Sequence, residues 1–202
     1  MTASLCLASR SPRRRALLDD LGLRYLLLDV AVDEAVPPGG APADYVCDLA
    51  LAKARAGWQA QAADDGLPVL AADTAVVMYE RILGKPAGEA DALAMLEALS
   101  GGWHEVFTGV AVVRGDHSAV DLTVTQVEFA PITQALAHAY WCTGEPADKA
   151  GAYAIQGLGA AFVVQIRGSY SGVVGLPLHE TLQLLARFGV QGPVWDGAPR
   201  RR

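Results

Sequence analysis

Two groups of side chains in this sequence have the types and spacing to handle an anion and attack it with water. The first is Ser9-Arg10-Ser11-Pro12-Arg13-Arg14, directly after the apolar run Leu5 to Ala8. A strand-to-helix turn at that place aims free backbone N–H groups and the positive end of a helix dipole at one point. Two hydroxyls and a cluster of guanidinium groups add the donors that phosphate oxygens require. The same residues also read as a capped helix with solvated arginines, and the segment alone does not choose. A Walker A loop is excluded, because Gly84-Lys85 is followed by Pro86 and Tyr79 stands where that motif's first glycine belongs.

The second group is acidic. Asp73 follows Val69-Leu70-Ala71-Ala72, at the carboxyl end of a predicted buried strand, where α/β proteins often present catalytic groups. Glu34, with Asp33 beside it, holds a similar place after the second predicted strand. Two carboxylates at adjacent strand ends suit a divalent cation, Mg²⁺ first and Mn²⁺ as the alternative, which keeps waters and substrate phosphates in its shell. One of the two can take a proton from an attacking water. The structural alternative for Asp73 is a helix or turn cap using Thr74.

Three isolated polar residues complete the set. Lys53 falls on the apolar face that Val46, Leu49, Ala50 and Gly57 define at helical spacing, so it either snorkels to the rim or points into a lined cleft. Lys85 has an extended backbone because Pro86 follows, which restricts its exit direction; an exposed hairpin end explains it as well. Gln156, in a run of small residues from Asp148 to Gly157, either reads a base edge through one donor and one acceptor or satisfies loop backbone. Gly157-Leu158-Gly159 lacks the third glycine of a dinucleotide fingerprint, and Gly168-Ser169-Tyr170-Ser171-Gly172 has tyrosine where a hydrolase elbow needs serine. His104, His117, His138 and His179 have no metal-ligand spacing and read as structural or exposed.

The elements that must position these residues alternate between strands and helices. Strands are predicted over Leu5 to Ala8, Arg24 to Val30, Leu67 to Ala72, Ala75 to Tyr79 with Ile82-Leu83 as a hairpin around Glu80-Arg81, His104 to Val113, Ala119 to Phe129 and Phe162 to Ile166. Helices are predicted from Ser11-Pro12 to about Leu21, then over Ala43 to Ala63, Glu89 to Leu99, Thr133 to Cys142 and Pro177 to Phe188. Interleaving at both ends around a long central hairpin predicts α/β architecture on a mixed sheet. One domain over residues 1–190 is expected, with a frayed Gly/Pro-rich tail over 191–202.

Composition bounds the partners. The 202 residues carry 16 basic and 22 acidic side chains, a formal charge of -6, and a pI of about 5.1. That balance argues against a nucleic-acid polymer as ligand, but leaves room for a small anion in a local basic pocket. Cys6, Cys47 and Cys142 are odd in number and widely spaced, which fits a reducing cytosol. The longest uncharged stretch, Ala150 to Ile166, falls short of the roughly 20 apolar residues of a spanning helix, so no membrane is expected.

From Leu5 to Phe188 the chain resembles the Maf family of nucleoside triphosphate pyrophosphatases. The matching segments are Leu7 to Arg14, Leu51 to Ala54, Ala72 to Thr74, Gly84 to Pro86, Ser100-Gly101 with His104 and Thr108, Asp148 to Gly157, and Gly168 to Tyr170 with Val173 to Pro177. The resemblance implies a two-lobed α/β fold related to inosine triphosphatases, with a nucleotide cleft and often in a homodimer. It implies cleavage of a nucleoside triphosphate to monophosphate and pyrophosphate with a divalent metal. Asp148 to Gly157 is similar to the branch that acts on dTTP and UTP, including modified uridine nucleotides, and unlike the 7-methyl-GTP branch. In that branch the positions matching Arg13, Thr74 and Gln156 set base preference, and Asp73 matches the proton acceptor. Ser9, Ser11, Arg13, Arg14, Lys53 and Lys85 are then expected on the phosphates, and Glu34 with Asp73 on the metal. Arg10 stands where a small residue is frequent, and Ala154 replaces a frequent glycine. Two rival readings accompany this one: a nucleotide-binding regulator of septum formation, and an inosine-triphosphate-type pyrophosphatase.

Overall fold

Three short apolar runs, each too brief to bury its own backbone, pair side by side to begin a single mixed sheet. The computed structural model describes residues 3–36, 39–61 and 66–192. Strand β1 (Leu5–Ala8) is fully buried and lies between β2 (Tyr25–Leu28) and β3 (Val69–Met78), parallel to both. The sheet continues antiparallel through β5 (Trp103–Arg114), β6 (His117–Phe129) and β7 (Val163–Arg167). Its order is β2-β1-β3-β5-β6-β7, with the short β4 (Arg81–Leu83) paired to the far end of β3. The mixed α/β architecture expected from the element pattern is therefore present.

Helices cover both faces. Helix α1 (Pro12–Asp20) begins as its sequence requires, with Pro12 at the first position and the Ser11 hydroxyl accepting the Arg14 backbone N–H. Helix α2 (Pro42–Ala60) packs Ala50 and Ala54 against Cys6, Ala8, Val69, Ala71, Ala111 and Val113. The opposite face carries the larger core, where Leu5, Leu7, Leu70, Ala72 and Val110 meet Leu96 of α3 (Glu89–Leu99) and Leu184 of α6 (Leu178–Arg187). Helix α4 (Gln134–Trp141) packs beside α3, and α5 (Tyr170–Val174) lies against β5 and β6. Helix α2 sits unusually close to the sheet. A Cβ on Gly109 of β5 would lie 2.5 Å from the Val46 carbonyl oxygen, and one on Gly57 would lie 2.8 Å from Val69 Cγ1.

Several expectations need correction. The predicted strands Leu67 to Ala72 and Ala75 to Tyr79 are one strand, because Asp73 and Thr74 pair with Gly109 and Thr108 of β5 like their apolar neighbours. Backbone groups satisfy the ladder whatever the side chain, so two polar residues do not end it. Asp73 is consequently mid-strand, and since β1 separates β2 from β3, Glu34 and Asp73 are not at adjacent strand ends. The β3–β4 turn is Tyr79-Glu80, both at positive φ, and Arg81 already belongs to β4. Helix α5 and three 3₁₀ turns between Glu145 and Phe162 were not expected. Of the tail predicted to fray, residues 193–202 lie outside the described residues, as does Pro37-Pro38 of the preceding loop. Among the described residues no helix is long and apolar enough to cross a membrane.

Candidate active site

A break in the pairing of β3 creates the site. Strand β1 pairs with β3 at Val69 and Leu70, while β4 begins its pairing at Val76. Between them, Asp73, Thr74 and Ala75 border a cleft of about 790 Å³. Consecutive residues of a strand point to opposite faces, so Asp73 joins the α2 face and Thr74 the α1 face. At this break both reach the same cleft. The loops after β1 and β2 close its upper side, beyond the carboxyl ends of parallel strands.

On the α2 face, Lys53 projects inward instead of snorkelling. Its Nζ lies 2.7 Å from Asp73 Oδ1 and 2.5 Å from Glu34 Oε1. The Lys53 and Asp73 side chains are only 12% and 13% exposed, whereas Glu34 is half exposed. The hydrogen bond from Lys53 outweighs partial burial and holds the Glu34 carboxyl below its ordinary pKa, helped by the charges of Lys53, Lys85 and Arg14. Tyr45 of α2 donates its hydroxyl to the Glu34 carbonyl oxygen at 2.9 Å. Burial, and then the Asp73 and Glu34 charges, push the Tyr45 pKa up to about 12, so it remains a donor. Asp33 turns away to accept the Ala35 N–H.

On the α1 face, Arg14 is pinned through three N–H groups: Nε to the Gly175 carbonyl at 2.7 Å, Nη1 to Ser9 Oγ at 3.4 Å, and Nη2 to Thr74 Oγ1 at 3.3 Å. Burial lowers its pKa, and the Asp73 charge opposes that shift. The direction of the next bonds is determined. Thr108 Oγ1 donates to the Gly172 carbonyl at 2.9 Å, so across the 3.1 Å Thr74–Thr108 contact Thr74 must donate. Thr74 therefore keeps only acceptor capacity for a ligand. Ser9 Oγ also accepts the Ser11 N–H at 3.2 Å, which rounds the β1–α1 turn.

The remaining predicted residues line the same cleft: Arg13 beside Arg14 on α1, Ser11 before it, and Lys85 and Gln156 from two other segments. Residue Arg10 sits at the rim, pairing with Asp29 at 2.8 Å where both are exposed. A family model described as Maf-like protein matches residues 4–188. The chain belongs to the Maf family. It is 50% identical over 188 residues to a dTTP/UTP pyrophosphatase of Pseudoalteromonas atlantica, covering 92% of this chain and 97% of that protein. A dTTP/UTP pyrophosphatase of Saccharophagus degradans is 52% identical over 96% of this chain and 92% of its own length. The solved Staphylococcus aureus Ham1 protein aligns at 16% identity with a TM-score of 0.42, over 62% of this chain and 71% of that one.

Sequence reading of this Maf chain missed Lys149, Tyr45 and Tyr153, all of which line the cleft. Lys149 is ion-paired to Asp148, with only 15% of its own side chain exposed. The signal was available: like Lys53, it is a lone lysine among small residues. Tyr153 is buried, and its hydroxyl contacts His104 Nε2 at 2.9 Å. Among the described residues no group of three or more His, Cys, Asp or Glu is placed to hold a metal. Glu34 and Asp73 supply two hard oxygen donors and share one ammonium. That donor set fits a Mg²⁺ or Mn²⁺ ion that draws the rest of its shell from water and ligand phosphates.

Proposed function

We propose that this Maf chain is a cytoplasmic nucleoside triphosphate pyrophosphatase that hydrolyses the α–β phosphoanhydride of dTTP and UTP, releasing monophosphate and pyrophosphate. One observation carries the reading: Lys53, with its side chain only 12% exposed, bridges Asp73 and Glu34 inside a cleft that Arg13, Arg14 and Lys85 also line. Cations around a triphosphate stabilise the charge that the leaving pyrophosphate develops, which is the main catalytic requirement of phosphoryl chemistry. The names of the two relatives above support the choice of nucleotide.

In this reading Ser9, Ser11, Arg13, Arg14 and Lys85 receive the phosphate tail. Lys53 fixes Asp73 through Oδ1, leaving Oδ2 to accept the proton of the attacking water. Glu34 and Asp73 would hold a divalent cation, which when bound supplies neutralising charge to the phosphates. Thr74, Gln156 and Arg13 select the base. The acceptor-only hydroxyl of Thr74 matches an imide N–H, which uracil and thymine carry, and the Gln156 amide offers both a donor and an acceptor. The catalytic unit is one domain over residues 1–190, and a homodimer is the expected assembly.

The test is a turnover panel of UTP, dTTP, modified uridine triphosphates, ITP and 7-methyl-GTP with Mg²⁺ or Mn²⁺, measuring pyrophosphate and monophosphate separately. UTP and dTTP should turn over fastest, with pyrophosphate as the inorganic product. Orthophosphate as the sole inorganic product, or preference for ITP, overturns the reading. Asp73→Asn should lower kcat by about 100-fold or more, in the range for loss of a positioned base, with an unchanged circular dichroism spectrum. Near-full turnover by that variant removes Asp73 from its role.

A further inference from the structure

We infer that Tyr140 and Glu145 form a clasp that sets the position of Gln156, so that Glu145 is a positioning residue for base selection although it does not line the cleft. The inference rests on the proposed role of Gln156 in reading the base. The Glu145 carboxylate accepts three donors: the Tyr140 hydroxyl at 2.6 Å and the Gly159 N–H at 3.0 Å on Oε1, and the Leu158 N–H at 2.9 Å on Oε2. The Tyr140 hydroxyl in turn accepts the Ala154 N–H at 3.0 Å. The grip is thus on backbone two residues before Gln156 and two and three residues after it. The Gln156 side chain itself is exposed and lines the cleft.

Two glycines make this approach possible. A Cβ on Gly157 would lie 2.1 Å from Glu145 Oε2, and one on Gly159 would lie 2.6 Å from the Tyr140 hydroxyl. Gly157-Leu158-Gly159 is therefore a seat for a carboxylate, which explains a glycine pair that fits no dinucleotide motif. The clasp is rigid at its root. Tyr140 is buried and meets Phe162 edge to face at 5.0 Å, and Phe162 begins the lead into β7. Hydrogen bonds from Tyr140, Gly159 and Leu158 outweigh the burial of Glu145 and hold its pKa below the ordinary value, as a carboxylate serving three donors requires. The frequent glycine that Ala154 replaces is unnecessary here, because only its backbone N–H enters the clasp.

Steady-state kinetics of the full-length Glu145→Gln and Tyr140→Phe variants with UTP, beside inhibition by inorganic tripolyphosphate, tests this. The amide of Glu145→Gln turns one acceptor into a donor facing N–H groups, so the loop should lose its position. Misplacing a substrate-orienting group by about 1 Å can cost on the order of 100-fold. KM for UTP should therefore rise at least about tenfold, with kcat within about threefold and the tripolyphosphate inhibition constant unchanged. Preference for UTP over ITP should shrink by a similar factor. A general loss of structure would weaken tripolyphosphate as much as UTP, and that result overturns the inference. If Glu145→Gln does not fold, the nearly isosteric Tyr140→Phe decides by the same readout. Wild-type kinetics in either folded variant overturn this inference alone, whereas a wild-type protein inert towards UTP and dTTP overturns the proposed function and this inference together.

Discussion

Lys53 concentrates the electrostatics of the site in one ammonium, and what its removal does separates structural from functional roles. With Nζ 2.7 Å from Asp73 and 2.5 Å from Glu34, it screens two carboxylates from each other. Lys53→Met should lower kcat/KM by about 100-fold or more, because Asp73 loses its orienting partner. Stability should fall by about 2 kcal/mol, less than a wholly buried pair would lose, since Glu34 is half exposed to water. Urea titration measures the loss, and adding Asp73→Asn should recover part of it without recovering turnover. Helical spacing revealed Lys53, but not where its side chain goes, because the partners that draw it inward stand on a loop and a strand distant in sequence. Arg13, Arg14 and Gln156 were legible as residue types. The direction of the Arg14–Thr74–Thr108 bonds was not, since the Gly172 carbonyl that sets it comes from the other end of the chain.

At the scale of elements, α2 and β3 must lie close enough for Lys53 to reach Asp73. Small residues allow this: Ala50, Ala54 and Gly57 on the helix, Ala71 and Gly109 on the sheet. The Val46 carbonyl and the Cys47 nitrogen are backbone atoms and cannot rotate away from a new methyl group at Gly109. Gly109→Ala should therefore lift α2, with Tyr45 and Lys53 on it, and cost about 2–3 kcal/mol, the upper range for overpacking. Thermal melts would show the loss, and kcat/KM should drop although residue 109 touches no ligand group. An effect within about 0.5 kcal/mol would mean that helix and sheet are less tightly apposed. Element types were mostly readable from periodicity and caps, as with Ser11-Pro12 before α1. The single strand β3 was not, because Asp73-Thr74 breaks an apolar run exactly as a turn would. The stretch from Glu145 to Phe162 was opaque for another reason: its 3₁₀ turns are too short to have a period, and the Glu145 clasp that orders them is side chain to backbone.

For the whole molecule, a mixed sheet could be foreseen from the order of elements, but the gap between β1 and β4 that opens the cleft depends on register, which no local pattern encodes. Acid should test how well the assembled core excludes water. His104 is 2% exposed, edge-on to Phe129 at 4.8 Å and to Tyr153 at 5.4 Å, and burial pushes its pKa down to about 4. Unfolded, the imidazole titrates near 6.5. Above that pH both states are neutral and this residue adds no slope. As the pH falls from about 6.5 towards 4, the unfolded chain binds a proton that the native core refuses, so stability should decline by up to about 1.4 kcal/mol per pH unit. Below about 4 the native state binds it too, and the slope from His104 ends. Glu34, Glu145 and Asp148, whose pKa values are lowered, act with the same sign but in a later window: their contribution is present above the ordinary values, 4.5 for the glutamates and 3.8 for the aspartate, and is lost as the pH falls through their depressed values. Urea unfolding of the wild type and of His104→Asn between pH 7.5 and 5 therefore isolates the histidine. The variant should start less stable, having lost its contact with the Tyr153 hydroxyl, and should lack the wild type's decline; parallel curves would show that His104 is protonated inside the fold.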